Sequence, residues 1–263
     1  MPPCVGRCAS PKSCGPVNGT FVGSGDSCSE TLQYPQAAGF QIGWRAYPSS
    51  PRSLHVTPSA PSSPPADRVD IVFPLAGTLV PRDHGYALFG ALARVLGDLH
   101  GASWLAVHPL GGIPRPDGLL ALHPRRGSLC LRVVPAEIPR VLALAGKALD
   151  VDGYRVHVGV SRVYPLRPAE ALTARMVVIK GFQEPEPFAE AVKRQLDALS
   201  VAASIEVGRR RIVTIAGDKV VGFGTTLRGL SEEGSLVVQR AGIGGRQRMG
   251  CGVFGPVGRE ARA

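Results

Sequence analysis

The chain has 263 residues, with 30 Lys and Arg against 20 Asp and Glu, 33 Gly, 24 Pro and 44% hydrophobic residues. That suits one or two globular domains plus some non-globular sequence, and is too much for a mini-protein. Its apolar runs, such as Met176-Val177-Val178-Ile179, fall far short of the ~20 residues of a membrane-spanning helix, and no basic stretch near the N-terminus leads into an apolar one. A cytoplasmic chain with no membrane partner is expected. The formal charge of +10 attracts polyanions, most commonly nucleic-acid phosphates, although charge alone names no partner.

Residues 1–66 show neither 3.6- nor 2.0-residue periodicity, and the Pro- and Ser-rich stretch from Pro48 to Pro65 cannot bury enough apolar area to offset chain entropy. This tail is expected to be disordered. Its cysteines, Cys4, Cys8, Cys14 and Cys28, lack the paired short spacings of a zinc site and read as incidental thiols in a tail; Cys130 and Cys251 lie far away. The next methionine after Met1 is Met176, and Val69 offers an alternative start that would leave the tail untranslated.

Arg68 to Leu75 is rich in β-branched residues and predicts a strand, followed by a turn at Val80-Pro81-Arg82-Asp83. Asp83 would cap a helix over about 84–97, with Leu88, Leu92, Val95 or Leu96, and Leu99 forming its apolar stripe. Strands are expected near Trp104–His108, Leu119–His123 and Ser128–Val134. A second helix is expected between Pro135 and Leu149, with Ile138, Val141, Leu142 and Ala145 as its stripe. Tyr154 to Tyr164 alternates as one strand, with Val156, Val158 and Val160 on one face.

The order restarts after Pro168 with a strand at Arg175–Ile179 and a helix opened by Pro187, striped by Phe188, Val192, Leu196 and Leu199. Ser204–Val207 and Arg211–Ile215 are predicted as strands around a basic turn, Val220–Thr226 as a third, and Ser231 caps a helix through Arg240. Cys251–Phe254 would be the last strand. The predicted fold is α+β: two tandem ferredoxin-like βαββαβ units, residues 67–167 and 168–256, each an antiparallel sheet with helices on one face, then a flexible end at 257–263.

The most specific motif runs from Gly242 to Phe254 and reads G-Φ-G-x5-G-Φ-G. Gly242, Gly244, Gly245, Gly250 and Gly252 permit close backbone approach to a phosphate, while Arg246, Gln247 and Arg248 bring donors to the same loop. It is not a P-loop, because no Lys-Ser/Thr follows, and it precedes a predicted strand where a Rossmann loop would open a helix.

In that spacing, in its place before the last strand and in the element order, the chain resembles the CRISPR repeat-processing endoribonucleases, tandem ferredoxin-like proteins of the repeat-associated RNA-binding superfamily. The resemblance covers about Val69 to Phe254. Asp70-Ile71-Val72-Phe73-Pro74-Leu75 and Asp83-His84-Gly85-Tyr86-Ala87-Leu88-Phe89 look most like the MYXAN subtype of type I systems. The tail has no counterpart in that family.

The resemblance implies cleavage within the repeat of precursor CRISPR RNA, without metal or other cofactor. The ribose 2′-hydroxyl attacks the adjacent phosphate, leaving a 2′,3′-cyclic phosphate and a 5′-hydroxyl. Repeat RNA is the implied partner, with type I interference-complex subunits as further ones. The sequence is compatible with this, having no H-E-x-x-H or similar metal-ligand spacing.

Such chemistry needs a base, an acid and cationic donors. Among six histidines, His55 lies in the tail, and His100, His108, His123 and His157 lie on or beside predicted strands and connections. His84 follows the Asp83 cap, where the helix dipole favours neutral imidazole while Asp83 opposes it. The resemblance makes His84 the general base, with Tyr86 and Arg82 as neighbours that could position the phosphate; the acid is unassigned. The resemblance also implies that Arg209, Arg210 and Arg211, in the turn between two strands, meet an RNA stem through its A-form shape and phosphates; the alternative is a charged, solvent-facing turn. Rival readings are a non-catalytic CRISPR RNA-binding subunit, a generic RNA-binding module and a small-molecule enzyme on the same fold.

Overall fold

The computed structural model describes residues 68–258 apart from residue 125. The expectations for residues 1–66, including the tail cysteines and His55, and for residues 259–263 lie outside the described residues.

The first unit comprises β1 (Val69–Ala76), β2 (Leu79–Pro81), α1 (Gly85–Leu96), β3 (Leu105–Val107), β4 (Ile113–Pro114), β5 (Leu119–Ala121), β6 (Ser128–Val133), α2 (Ile138–Leu142), β7 (Ala148–Val151), β8 (Tyr154–Val158) and β9 (Arg162–Pro165). The main sheet runs β3-β6-β1-β8-β7, with β9 also pairing β1. Alternation along β1 sends Ile71, Phe73 and Leu75 into one core with Leu88, Leu92 and Leu96 of α1. β2, β5 and β4 form a separate small sheet where only a turn was expected at Val80.

The second unit comprises β10 (Leu172–Val177), α3 (Pro185–Ala198), β11 (Ser204–Ile215), β12 (Asp218–Arg228), α4 (Glu232–Ala241) and β13 (Gly255–Pro256), with sheet order β11-β12-β10-β13. Its separate core includes Phe188, Val192 and Leu196 of α3 with Val238 of α4. Ser231 caps α4 as expected, its hydroxyl accepting the Gly234 N–H at 3.0 Å. Counting β1, β3, β6 and β8 in one unit and β10 to β13 in the other, both sheets order their strands second, third, first, fourth. This is the ferredoxin-like α+β arrangement.

Several boundaries differ from expectation for local reasons. The Tyr154–Tyr164 strand breaks at Gly159, whose N–H bonds the Pro74 carbonyl, so β8 and β9 pair different stretches of β1 and Val160 is exposed. The second helix stops at Leu142 because Gly146 takes a positive φ of 76° and Leu149 joins β7. Arg209, Arg210 and Arg211 lie inside β11, which runs through a bulge between Val207 and Arg210; they are not in a turn. Cys251–Phe254 is not a strand, because Gly252 N–H returns to Met176 O and pairing with β10 passes to Gly255 and Pro256. Val257 N–H still bonds Ala171 O.

One arginine rivets the units together. Arg132 on β6 is 1% exposed and holds the fully buried Asp70 of β1 through Nε to Oδ1 at 2.8 Å and Nη2 to Oδ2 at 3.2 Å. Its Nη1 donates to Gln239 O and Phe254 O of the second unit, at 2.8 and 2.7 Å. The face of the first sheet opposite α1 is thus covered by the second unit through a charge-assisted network.

Candidate nucleic-acid interface

A groove of about 1850 Å³ runs between the units. It is bounded by the 82–86 turn, the segment from His108 to Gly118, the β9–β10 connection, β11 and residues 249–258. Among the described residues its lining carries eight arginines, at 82, 126, 162, 167, 175, 209, 210 and 211, and one carboxylate, Asp83. Asp83 does not cap α1. Its Oδ2 accepts the Thr214 N–H of β11 at 2.6 Å, which ties the helix entry to the second unit, and His84 takes the N-cap position without a side-chain cap bond.

The histidine that the resemblance makes the general base is not accessible in this conformation. His84 is only 2% exposed, on the groove floor. Its Nε2 accepts the Leu110 N–H at 2.9 Å, which fixes the tautomer, so Nδ1 carries the proton and donates to Pro81 O at 3.0 Å. Burial, and after it the Arg175 guanidinium, push its pKa down to about 4. Neutrality is therefore secured by desolvation and a neighbouring cation, where the helix dipole had been expected to supply it. Arg175 donates to Leu110 O at 3.5 Å and to Arg82 O at 3.4 Å, so His84, Leu110 and Arg175 form one joint between the units. Arg82 and Tyr86 flank this joint as exposed groove residues.

The glycine-rich loop is built differently from a phosphate cradle over most of its length. A side chain at Gly244, which has φ of 77°, would strike the Val178 carbonyl, and one at Gly242 or Gly252 would strike the loop's own far limb. Gly85 at the start of α1 leaves room for the Met249 carbonyl. Gln247 donates to Ala241 O and Arg248 to Leu99 O, both at 2.8 Å, so these two side chains brace the loop against the protein. Gly250 faces the groove, whereas Gly244, Gly245 and Arg246 line a separate hollow of about 580 Å³ beside Lys180 and Lys219. Cys251 is buried in the loop, and burial pushes its thiol up to about 11, which leaves it protonated and unreactive.

Two further imidazoles line the groove that sequence reasoning had passed over. His123 is exposed in the turn before β6; the basic run His123-Pro124-Arg125-Arg126 was the available signal. His108 lies with Nε2 3.9 Å from Asp70 Oδ1. Asp70, His108 and Cys130 bring potential ligand atoms within 4.8 Å of one another, but Arg132 holds both oxygens of that carboxylate and sets a positive charge where a cation would bind. His100 instead packs edge-on against Phe89, and His157 lies on β8; neither lines the groove.

A family model described as Cas6 Crispr matches residues 69–259. A curated relative, the CRISPR-associated endonuclease Cas6 of Myxococcus xanthus (strain DK1622), is 45% identical over 194 residues, covering 74% of this chain and 84% of that protein. A solved structure entitled CRISPR associated protein Cas6 superposes with a TM-score of 0.53 at 16% identity, covering 72% of this chain and 99% of the other. Another, titled as a Cas6-related gene from Pyrococcus furiosus, gives 0.52 at 11% identity over 73% and 99% of the two chains. At those identities the two structures speak for the fold. No helix among the described residues is long and apolar enough to cross a membrane.

Proposed function

This chain belongs to the Cas6 family of CRISPR repeat-processing endoribonucleases, and we propose that it cuts precursor CRISPR RNA within its repeats by a metal-independent route. The ribose 2′-hydroxyl attacks the adjacent phosphorus, the P–O5′ bond breaks, and a 2′,3′-cyclic phosphate and a 5′-hydroxyl remain. The observation that carries this reading is the groove between the units, with eight arginines facing one carboxylate that is already hydrogen-bonded. Its volume of about 1850 Å³ exceeds the roughly 300–1,000 Å³ of small-molecule pockets and suits a polymer segment. Exposed Arg82, Arg209 and Arg210 are placed to pair with phosphates, and an arginine fork also suits the charge of a pentacoordinate phosphorus.

His84 acts as base in this scheme once the Leu110 amide leaves Nε2. The Pro109-Leu110-Gly111-Gly112 segment is the piece that must shift, and substrate entering the groove meets it directly. Tyr86, exposed two residues on, would then position the ribose-phosphate. The main chain of Gly250 would add a phosphate contact inside the groove, and Arg246 with the main chain of Gly245 one in the separate hollow. The test is cleavage of a repeat-containing transcript by the full chain in EDTA. His84→Ala should abolish cutting and retain binding; undiminished cutting would transfer the role to His123 or His108.

A further inference from the structure

We propose that the groove receives its RNA as an unpaired strand, with base faces laid on exposed apolar side chains and phosphates turned to the arginines. This deepens the endoribonuclease reading above and rests on it. Tyr86, Ile113, Ile212 and Val257 are 43%, 66%, 52% and 48% exposed, and all four line the groove. They come from four separate places: the first turn of α1, β4, the middle of β11 and the residue after β13. Single exposed apolar residues are ordinary, but four from distant parts of the chain that converge on one cationic channel are a built surface.

On β11, Arg210 and Ile212 share one face of the strand, two residues apart, so a cationic and an apolar side chain stand side by side there. Across the groove Ile113 sits on the small sheet and Tyr86 on α1 beside Arg82.

An A-form duplex turns phosphates and 2′-hydroxyls outward and seals its base faces inside the stack, so protruding isoleucine, valine and tyrosine side chains find little apolar surface on it. An unpaired strand offers a base face at every nucleotide, and such contacts tolerate varied sequence. The groove therefore fits splayed bases better than the paired stem expected for Arg209–Arg211.

The test uses the full chain in EDTA and repeat RNA carrying a deoxyribose at the scissile position, in two forms: one with any self-complementary arm replaced so that it stays unpaired, and one annealed to its full complement. Fluorescence anisotropy should give at least about tenfold tighter binding to the unpaired form. The double variant Ile113→Ser/Ile212→Ser, both positions being exposed, should weaken that binding by about tenfold and leave its salt dependence unchanged, because no phosphate contact is lost. Equal or tighter binding of the duplex, or unaltered binding by the double variant, overturns the inference while leaving the endoribonuclease reading intact. A folded wild-type chain that binds neither RNA overturns both.

Discussion

Replacing Arg132 by Met keeps most of the side chain's bulk and removes every donor it offers. Asp70, fully buried, then loses the guanidinium that held both of its oxygens, and Gln239 O and Phe254 O lose their shared Nη1 donor. Removing one partner of a buried pair costs about 3–5 kcal/mol, and a buried carbonyl left without its donor about 1–3 kcal/mol. These losses overlap, so about 5 kcal/mol is expected, a third or more of the ~5–15 kcal/mol that holds a typical domain folded. Urea unfolding of the full chain, followed by circular dichroism, measures it. Adding Asp70→Asn to Arg132→Met should restore about 2 kcal/mol or more, since the double variant no longer buries a carboxylate charge deprived of its guanidinium. A loss below about 1 kcal/mol for Arg132→Met, or no recovery in the double variant, would show that this network does not join the units.

His84 makes stability depend on pH. Its folded pKa of about 4 lies below the ordinary value of 6.5, so the unfolded chain binds the proton first as pH falls. The stability it permits is fully present above pH 6.5, declines from there to about pH 4, and then levels off. The full effect is about 3 kcal/mol, and the pH-dependence of the urea midpoint should flatten in His84→Gln. Gly85→Ala should lower the melting temperature through its clash with Met249 O, costing about 1–3 kcal/mol, whereas Gly90→Ala, with only the tip of Arg94 nearby, should gain up to about 1 kcal/mol. Calorimetry on the pair separates close packing from a general intolerance of α1. Replacing Arg209, Arg210 and Arg211 together by Ala should reduce the slope of log affinity against log salt by about 2 for single-stranded repeat RNA, checked by titration at several salt concentrations.

Repetition of apolar side chains made much of the fold readable. The alternation of Ile71, Phe73 and Leu75, the helical stripe of Phe188, Val192 and Leu196, and the Ser231 cap each signal their element locally. Both ends of β11 were legible, but its continuity through residues 208–210 was not, because Gly208 and the arginines on an exposed strand imitate a turn; the cross-strand pairing with β12 keeps them extended. Asp70 and Arg132 could not be paired from sequence, since 62 residues separate them and each sits in an otherwise apolar strand. The site was half legible: the 82–86 turn and the arginines do reach one groove. His84 is engaged by a Leu110 amide 26 residues away, and the glycine loop's tight packing on Val178 and Gly85 rests on contacts that no local pattern encodes.

The most direct measurement is mass spectrometry of the ends made when the full chain cuts a repeat-containing transcript in EDTA. Paired fragments bearing a 2′,3′-cyclic phosphate and a 5′-hydroxyl are predicted. Fragments ending in a 3′-hydroxyl and a 5′-phosphate, or cutting that returns only when a divalent metal is restored, would contradict attack by the ribose hydroxyl.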